Sequence, residues 1–373
     1  MAVDLHYSAY DTWVANAGLP IYEGWGIHPP DLKLAPWELK GMDAAILHLE
    51  AMGQQCNDFV LEMGPGGSSK PIRQMHEELI YVLSGRGATS VWLDDESSKR
   101  TFEWQAGSLF GVPQNATHQH FNGSGDEPAR FITITDLPLM LNMFHSEDFI
   151  WNNSFNFLDR FGDDGYFVGE GKMHDIREGR SWWETNVLAD ADHFELRPWK
   201  DRGAGGINLQ FNLANSSMHT HISEFSPGMY KKAHGHEPGA HIVLLSGTGF
   251  SLVWPDNKHW KGNGGGFDEV VMVPWKKGSI FVPKGFHQHF NTGTDPARYL
   301  AMGFGGFRYH IGRDTMGTKY HSFGADVSTR LGGFQIEYAD EDPAILEMFE
   351  EECRKNNSQS NMREYLKQFR DVN

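Results

Sequence analysis

His234-Gly235-His236 stands about fifty residues ahead of His287-Gln288-His289-Phe290-Asn291, and the second group follows Gly278-Ser279-Ile280-Phe281-Val282-Pro283. Imidazoles at i and i+2 of a strand point to the same face. A third imidazole returning on a neighbouring strand can close a three-nitrogen face around one divalent metal. Three neutral ligands on one face leave the opposite positions open to small molecules, which suits catalysis better than structural support. His234, His236 and His287 are therefore the expected ligands, in preference to a cluster of buried, hydrogen-bonded core histidines.

Such a set needs neighbouring strands, and the composition points to them. The chain holds 42 Gly, 25 Phe and 12 Trp. Short apolar runs punctuated by glycine fit an all-β sandwich or barrel rather than a helical protein. The best helical signal begins at Asp342-Pro343, an N-cap followed by a first-turn proline, and runs through Ile345, Leu346, Met348 and Phe349.

At 373 residues the length fits two domains, and the chain repeats itself. Leu83-Ser84-Gly85-Arg86-Gly87 with Val91-Trp92 answers Leu245-Ser246-Gly247-Thr248-Gly249 with Val253-Trp254. Gly107-Ser108-Leu109-Phe110 answers Gly278-Ser279-Ile280-Phe281, and His118-Gln119-His120-Phe121-Asn122 is identical to the string at 287–291. Glu127-Pro128-Ala129-Arg130-Phe131 answers Asp295-Pro296-Ala297-Arg298-Tyr299. A period of about 160 to 170 residues is far too long for a solenoid and indicates two homologous domains. In each copy a Gly-x-Gly joins two strands with no helix after it, so it reads as a hairpin turn rather than a nucleotide loop. The stretch from Leu139 to Arg202 is too aromatic for a disordered linker and is expected to pack against both barrels.

The formal charge of −17 argues against nucleic acid and against an anionic membrane surface as partners. No apolar run approaches the roughly 20 residues that span a bilayer, and no leading basic-then-apolar segment is seen. Cys56 and Cys353 match no metal or redox spacing, so a cytoplasmic, reduced protein is expected, with Asn115-Ala116-Thr117 a chance sequon.

These residues resemble the cupin superfamily, and the duplication resembles a bicupin. Gly228, five residues, His234-Gly235-His236, three residues, Ala240, six residues and Gly247 follow the first cupin motif. Gly278, Pro283, His287 and Asn291 follow the second, with a shortened loop. The resemblance implies two jelly-roll barrels. The expected bounds are an N-terminal extension at 1–40, a first barrel at 41–138, a linker at 139–202, a second barrel at 203–310 and a C-terminal extension with a helix at 311–373.

Common cupins place a Glu ligand where Ala240 stands. Ring-cleaving dioxygenases of the gentisate, salicylate and hydroxynaphthoate type keep only three histidines, and this chain is similar to them. The resemblance implies Fe(II) in the second barrel, a small oxygenated aromatic or enolisable acid as substrate, dioxygen as co-substrate, and C–C bond cleavage. In the first copy Ile72 and Gln74 replace the His-x-His and Glu78 stands opposite Ala240. Glu78 with His118, helped by His76, is a weak candidate set there, against a purely structural barrel.

Further site candidates are His289, which shares strand parity with His287, together with Gln210 and Arg308. Gln210 and Asn212 lie on a probable inward strand, and Arg308 is preferred over Arg298 for gripping a carboxylate. Arg298 and Arg130 recur in the repeat and read as architectural. His219 and His221 read as one face of a polar strand, His241 as an outward or interface residue, and Trp254, Phe281 and Phe290 as barrel core. Two alternatives stay open: an oxygen-independent metal-dependent isomerase, lyase or decarboxylase, and a non-catalytic binding or storage bicupin. Exposed barrel edges and long termini suggest a homo-oligomer.

Overall fold

Period-two patterning sorts each repeat into two facing, mainly antiparallel sheets. The computed structural model describes residues 7–177, 179–236, 239–254, 270–305, 308–309 and 324–371. In the first barrel the larger sheet runs Ile21–Gly24, Met42–Leu49, Asn57–Met63, Ala129–Thr135, Glu78–Ser84, Leu109–Val112, Val187–Leu188. Facing it are Thr117–Asn122, Arg86–Trp92 and Arg100–Gln105. In the second barrel the larger sheet carries Ile207–Leu213, Met218–Phe225, Ala297–Phe304, His241–Ser246 and Ile280–Phe281 in that order. Its smaller sheet runs His234–His236, Gly285–Asn291, Thr248–Trp254, Val271–Lys276. The molecule is thus mostly β, with two barrels and a helical tail.

Alternation decides where the cores lie. Ile242, Leu244, Tyr299, Ala301 and Phe225 fill the second barrel together with Trp254, Phe281 and Phe290. Their strand neighbours Val243, Leu245, Leu300, Met302 and Ile222 point the other way and meet Leu79, Tyr81, Ile132 and Ile134 of the first barrel. The large sheets therefore stack back to back and are apolar on both faces. A buried hydrogen bond crosses this seam between His241 Nδ1 and Asp58 Oδ2 at 2.6 Å.

The Gly-x-Gly turns are required twice over. Gly85 and Gly247 take φ of +88° and +86°. A Cβ on Gly87 or Gly249 would lie 2.0 or 1.9 Å from the carbonyl oxygen of Phe121 or Phe290.

Segments outside the repeats supply strands. Gly26–Ile27 pairs with Ile280–Phe281 of the second barrel, and Val187–Leu188 pairs with Leu109–Val112 of the first. Arg180–Thr185 runs parallel to Ile207–Leu213. The helix Pro343–Lys355 starts where its cap signal lies, Asp342 accepting the Ala344 N–H at 2.9 Å, and buries Ile345, Leu346 and Phe349 on the second barrel. Both cysteines are free and buried. Among the described residues no helix is long and apolar enough to cross a membrane.

Candidate metal centre

His234 and His287 are register partners on the antiparallel pair His234–His236 and Gly285–Asn291. His236, two residues on, shares their face. Ring centroids lie 4.2 Å (His234–His287), 4.8 Å (His236–His287) and 5.4 Å (His234–His236) apart. One nitrogen from each lies within 4.8 Å of the others. Metal–nitrogen bonds of about 2.1 Å place neighbouring ligand atoms about 3 Å apart, so small side-chain rotations close the set.

The surroundings fit a metal. His287 donates Nδ1–H to the Gly285 carbonyl at 3.0 Å, which leaves the Nε2 lone pair for an ion. Nδ1 of His234 is buried without a partner among the described residues. Burial holds the His287 pKa down at about 3 and, joined by the Arg202 charge, pushes His234 well below the ordinary range. Both imidazoles are neutral at pH 7, the form that ligates. Ala240 is buried in the barrel core and offers no fourth ligand.

His289 is buried beside this group, its ring 5.2 Å from His287 and 5.4 Å from Tyr299. Its Nδ1 lies 2.7 Å from Ser251 Oγ, which also accepts the Trp275 indole N–H at 3.0 Å. The first barrel repeats this trio as His120, Thr89 and Trp104, at 2.7 and 2.9 Å. The trio is thus scaffold common to both barrels, and it holds the His289 ring through Nδ1. Gln210 is buried opposite His221 and Trp182 in register, with its Oε1 unpartnered among the described residues, as is Oδ1 of Asn212. Arg308 is not the buried carboxylate anchor expected. It is exposed and already paired at 3.0 Å with Glu184, on the strand beside the one that carries Gln210. Arg298 is architectural, tied to Glu224 and to the Ala191 carbonyl at 3.1 Å each. His219 and His221 contact each other at 2.6 Å.

Sequence reasoning missed the buried basic side chains. Arg202 donates to Gln335 Oε1 at 2.9 Å and pairs with Asp326 at 3.2 Å; the backbone of Gln335 bridges to His234. Arg180 reaches the same Asp326 at 2.7 Å and Asn208 at 3.1 Å. Lys231 is fully buried among Trp199, Phe225 and Tyr299 and donates to Ser223 Oγ at 2.7 Å and Tyr299 Oη at 3.2 Å. It forms no salt bridge with a carboxylate among the described residues. Two of these three come from segments without a repeated motif, and Lys231 is simply one of a Lys-Lys pair in sequence.

The first barrel closes the equivalent position differently. Ile72 pairs with His118 as His234 pairs with His287. Lys40 Nζ lies 2.8 and 2.7 Å from the two oxygens of Glu78, and Gln74 donates to the same carboxylate at 2.8 Å. His118 Nε2 stands 4.0 Å from it. Burial raises the Glu78 pKa, but the Lys40 ammonium, by its charge and its hydrogen bond, more than offsets that and holds it ionised. Burial pushes His76 down to about 3 and His118 to about 4. The expected helper His76 belongs to no group of three His, Cys, Asp or Glu side chains close enough to share an ion among the described residues.

Residues 59–135, within the first barrel, match the model of the cupin domain. No curated protein matches the chain. Among solved structures it is similar to an oxalate decarboxylase studied for its substrate binding mode and reaction specificity, at 14% identity and a TM-score of 0.48, covering 76% of this chain and 78% of that one. A variant of the Bacillus subtilis oxalate decarboxylase matches at 13% identity and 0.48 over the same shares. Another structure of that Bacillus subtilis enzyme, described for its Mn(II) centres, matches at 13% and 0.46, again over 76% and 78%.

Proposed function

We propose that the second barrel binds one divalent transition metal through His234, His236 and His287 and uses it to cleave a carbon–carbon bond in a small carboxylate-bearing substrate. The observation that carries this is the ligand set: three imidazoles within reach of one ion, with Ala240 where the other barrel has Glu78. A site that keeps its full +2 charge takes an anionic chelating substrate without accumulating negative charge. When bound, the metal supplies Lewis acidity and open coordination positions and, as iron(II), electrons for dioxygen.

The chain's own residues do the remaining work. Arg202 and Arg180 carry two positive charges against the one carboxylate of Asp326, so the interior favours an anion; burial and these two arginines hold the Lys231 pKa well below the ordinary lysine range, which leaves it a polar amine beside them. Gln210 Oε1 and Asn212 Oδ1 accept hydrogen bonds from a substrate hydroxyl. Trp199, Phe225 and Tyr299 keep water from the Lys231 side.

With iron(II) this is a dioxygenase acting on a hydroxybenzoate-like or enolisable acid. A second reading needs no dioxygen: the cationic wall also favours the electron pair left on carbon when carbon dioxide departs. The activity named for the oxalate decarboxylases is of this second class. Protein loaded with Fe(II) or Mn(II) and offered hydroxybenzoates, dicarboxylic acids and 2-oxo acids separates the two. Dioxygen uptake matched to substrate loss supports the first; carbon dioxide release without dioxygen uptake supports the second. In either case His287→Ala is expected to lose metal and turnover together. Full turnover by that variant without metal refutes the proposal.

A further inference from the structure

We infer that the Lys40 ammonium is the resident cation of the first barrel, held in a vestigial metal site that takes a divalent metal once the lysine is removed. Glu78 and His118 occupy the register positions of Ala240 and His287. Gln74 occupies that of His236. Two side chains here are buried with a ligand-type atom unsatisfied: His118 Nε2 and Gln74 Oε1. A carboxylate, an imidazole nitrogen 4.0 Å from it and an amide that now donates its N–H to it, and presents its oxygen there once the amide turns over, are the donor types of a cation site. That site is already served, because Lys40 contacts both carboxylate oxygens.

The lysine is delivered by a built turn. Lys40 and Gly41 join Ala35–Trp37 to Met42–Leu49, Gly41 has φ +65°, and the Lys40 carbonyl accepts the Lys70 N–H at 2.8 Å. A Cβ on Gly41 would lie 2.9 Å from the Lys70 side chain, so the turn has little freedom to aim the lysine elsewhere. The side chain is 3% exposed. An ammonium so placed cannot exchange with solvent ions without opening the barrel, so it excludes a metal instead of competing weakly with one.

The test is titration with Co(II), whose visible absorption reports nitrogen and oxygen ligation. Lys40→Ala is expected to bind one more equivalent than the unmodified protein, whether the second barrel contributes one or none. Adding His118→Ala to Lys40→Ala removes that extra equivalent. A Lys40→Ala protein that is folded by circular dichroism and binds no more Co(II) overturns the inference. If Lys40→Ala does not fold, the unmodified protein still decides: Co(II) bound in its first barrel, seen as an equivalent lost in His118→Ala but kept in His287→Ala, also overturns it. No such equivalent supports it.

Discussion

The two barrels carry a histidine at the same register point and put it to opposite uses. His118 pairs with Val91 and Ile72; His287 pairs with Val253 and His234. The next inward histidine in each is held by a hydroxyl that is held in turn by a tryptophan. Everything up to this point is shared scaffold. The barrels diverge at three positions (Ile72 against His234, Gln74 against His236, Glu78 against Ala240) and in the cation supplied by the turn before the first long strand. Gly41 and Gly205 both take φ +65° in that turn. In one barrel it sends Lys40 onto Glu78. In the other, Arg202 is kept by Asp326 and Gln335, and the imidazoles are left facing each other. Charge inventory, rather than fold, separates the barrel suited to chemistry from the one suited to support.

The strongest way to break this comparison is to unbalance the closed barrel. Glu78→Gln leaves the Lys40 ammonium buried without its carboxylate and is expected to cost about 3–5 kcal/mol in urea unfolding. Lys40→Met combined with Glu78→Gln removes both charges and is expected to restore most of that loss. A Glu78→Gln protein as stable as the parent would mean that the pair does not hold the barrel together. Next in size is the reciprocal change. Ala240→Glu gives the second barrel the carboxylate of the first; it should strengthen metal binding yet lower turnover of an anionic substrate by about 100-fold, close to 2.8 kcal/mol. Unchanged turnover would show that the missing carboxylate has no part in the chemistry.

The cluster of three histidines was legible because it is a pattern: alternate histidines on one strand and a third in a repeated block. The barrels were legible for the same reason, since four blocks recur in order. Lys40, Arg202 and Arg180 were not, because each reaches its barrel from a turn or segment that the repeat does not mark, and only closure of the fold shows where it ends. Arg308 looked a better carboxylate anchor than Arg298 because it lacks a repeated counterpart, but exposure and Glu184 decide its place. The two-residue strands Gly26–Ile27 and Val187–Leu188 are too short to show a period, so the exchange of strands between repeats left no trace in the sequence.

A smaller effect sharpens the open barrel. Lys231→Met keeps the apolar stem and removes the buried amine with its hydrogen bonds to Ser223 and Tyr299. It is expected to raise KM for an anionic substrate about tenfold, or 1.4 kcal/mol, with metal content unchanged. A fall in kcat with KM unchanged would instead make Lys231 a group that acts only in the transition state.

The smallest effect compares the barrels by pH. His118 and His76 have folded-state pKa values of about 4 and about 3, against an ordinary 6.5, and burial is the main cause for both. Because the folded values are lowered, the unfolded chain takes up protons first as pH falls. Stability is therefore full above 6.5 and declines toward the folded values. Between pH 7 and pH 6 each such histidine contributes a loss of about 0.7 kcal/mol. His287, at about 3, behaves alike in metal-free protein, so His118→Asn and His287→Asn should flatten the pH dependence equally. Metal loading breaks the symmetry, since ligands must stay deprotonated to bind. Loaded protein should lose stability more steeply with acid, and His287→Asn should abolish that added slope while His118→Asn leaves it intact. If His118→Asn removed it instead, the metal would reside in the barrel that Lys40 closes, and the assignment of the two barrels would have to be exchanged.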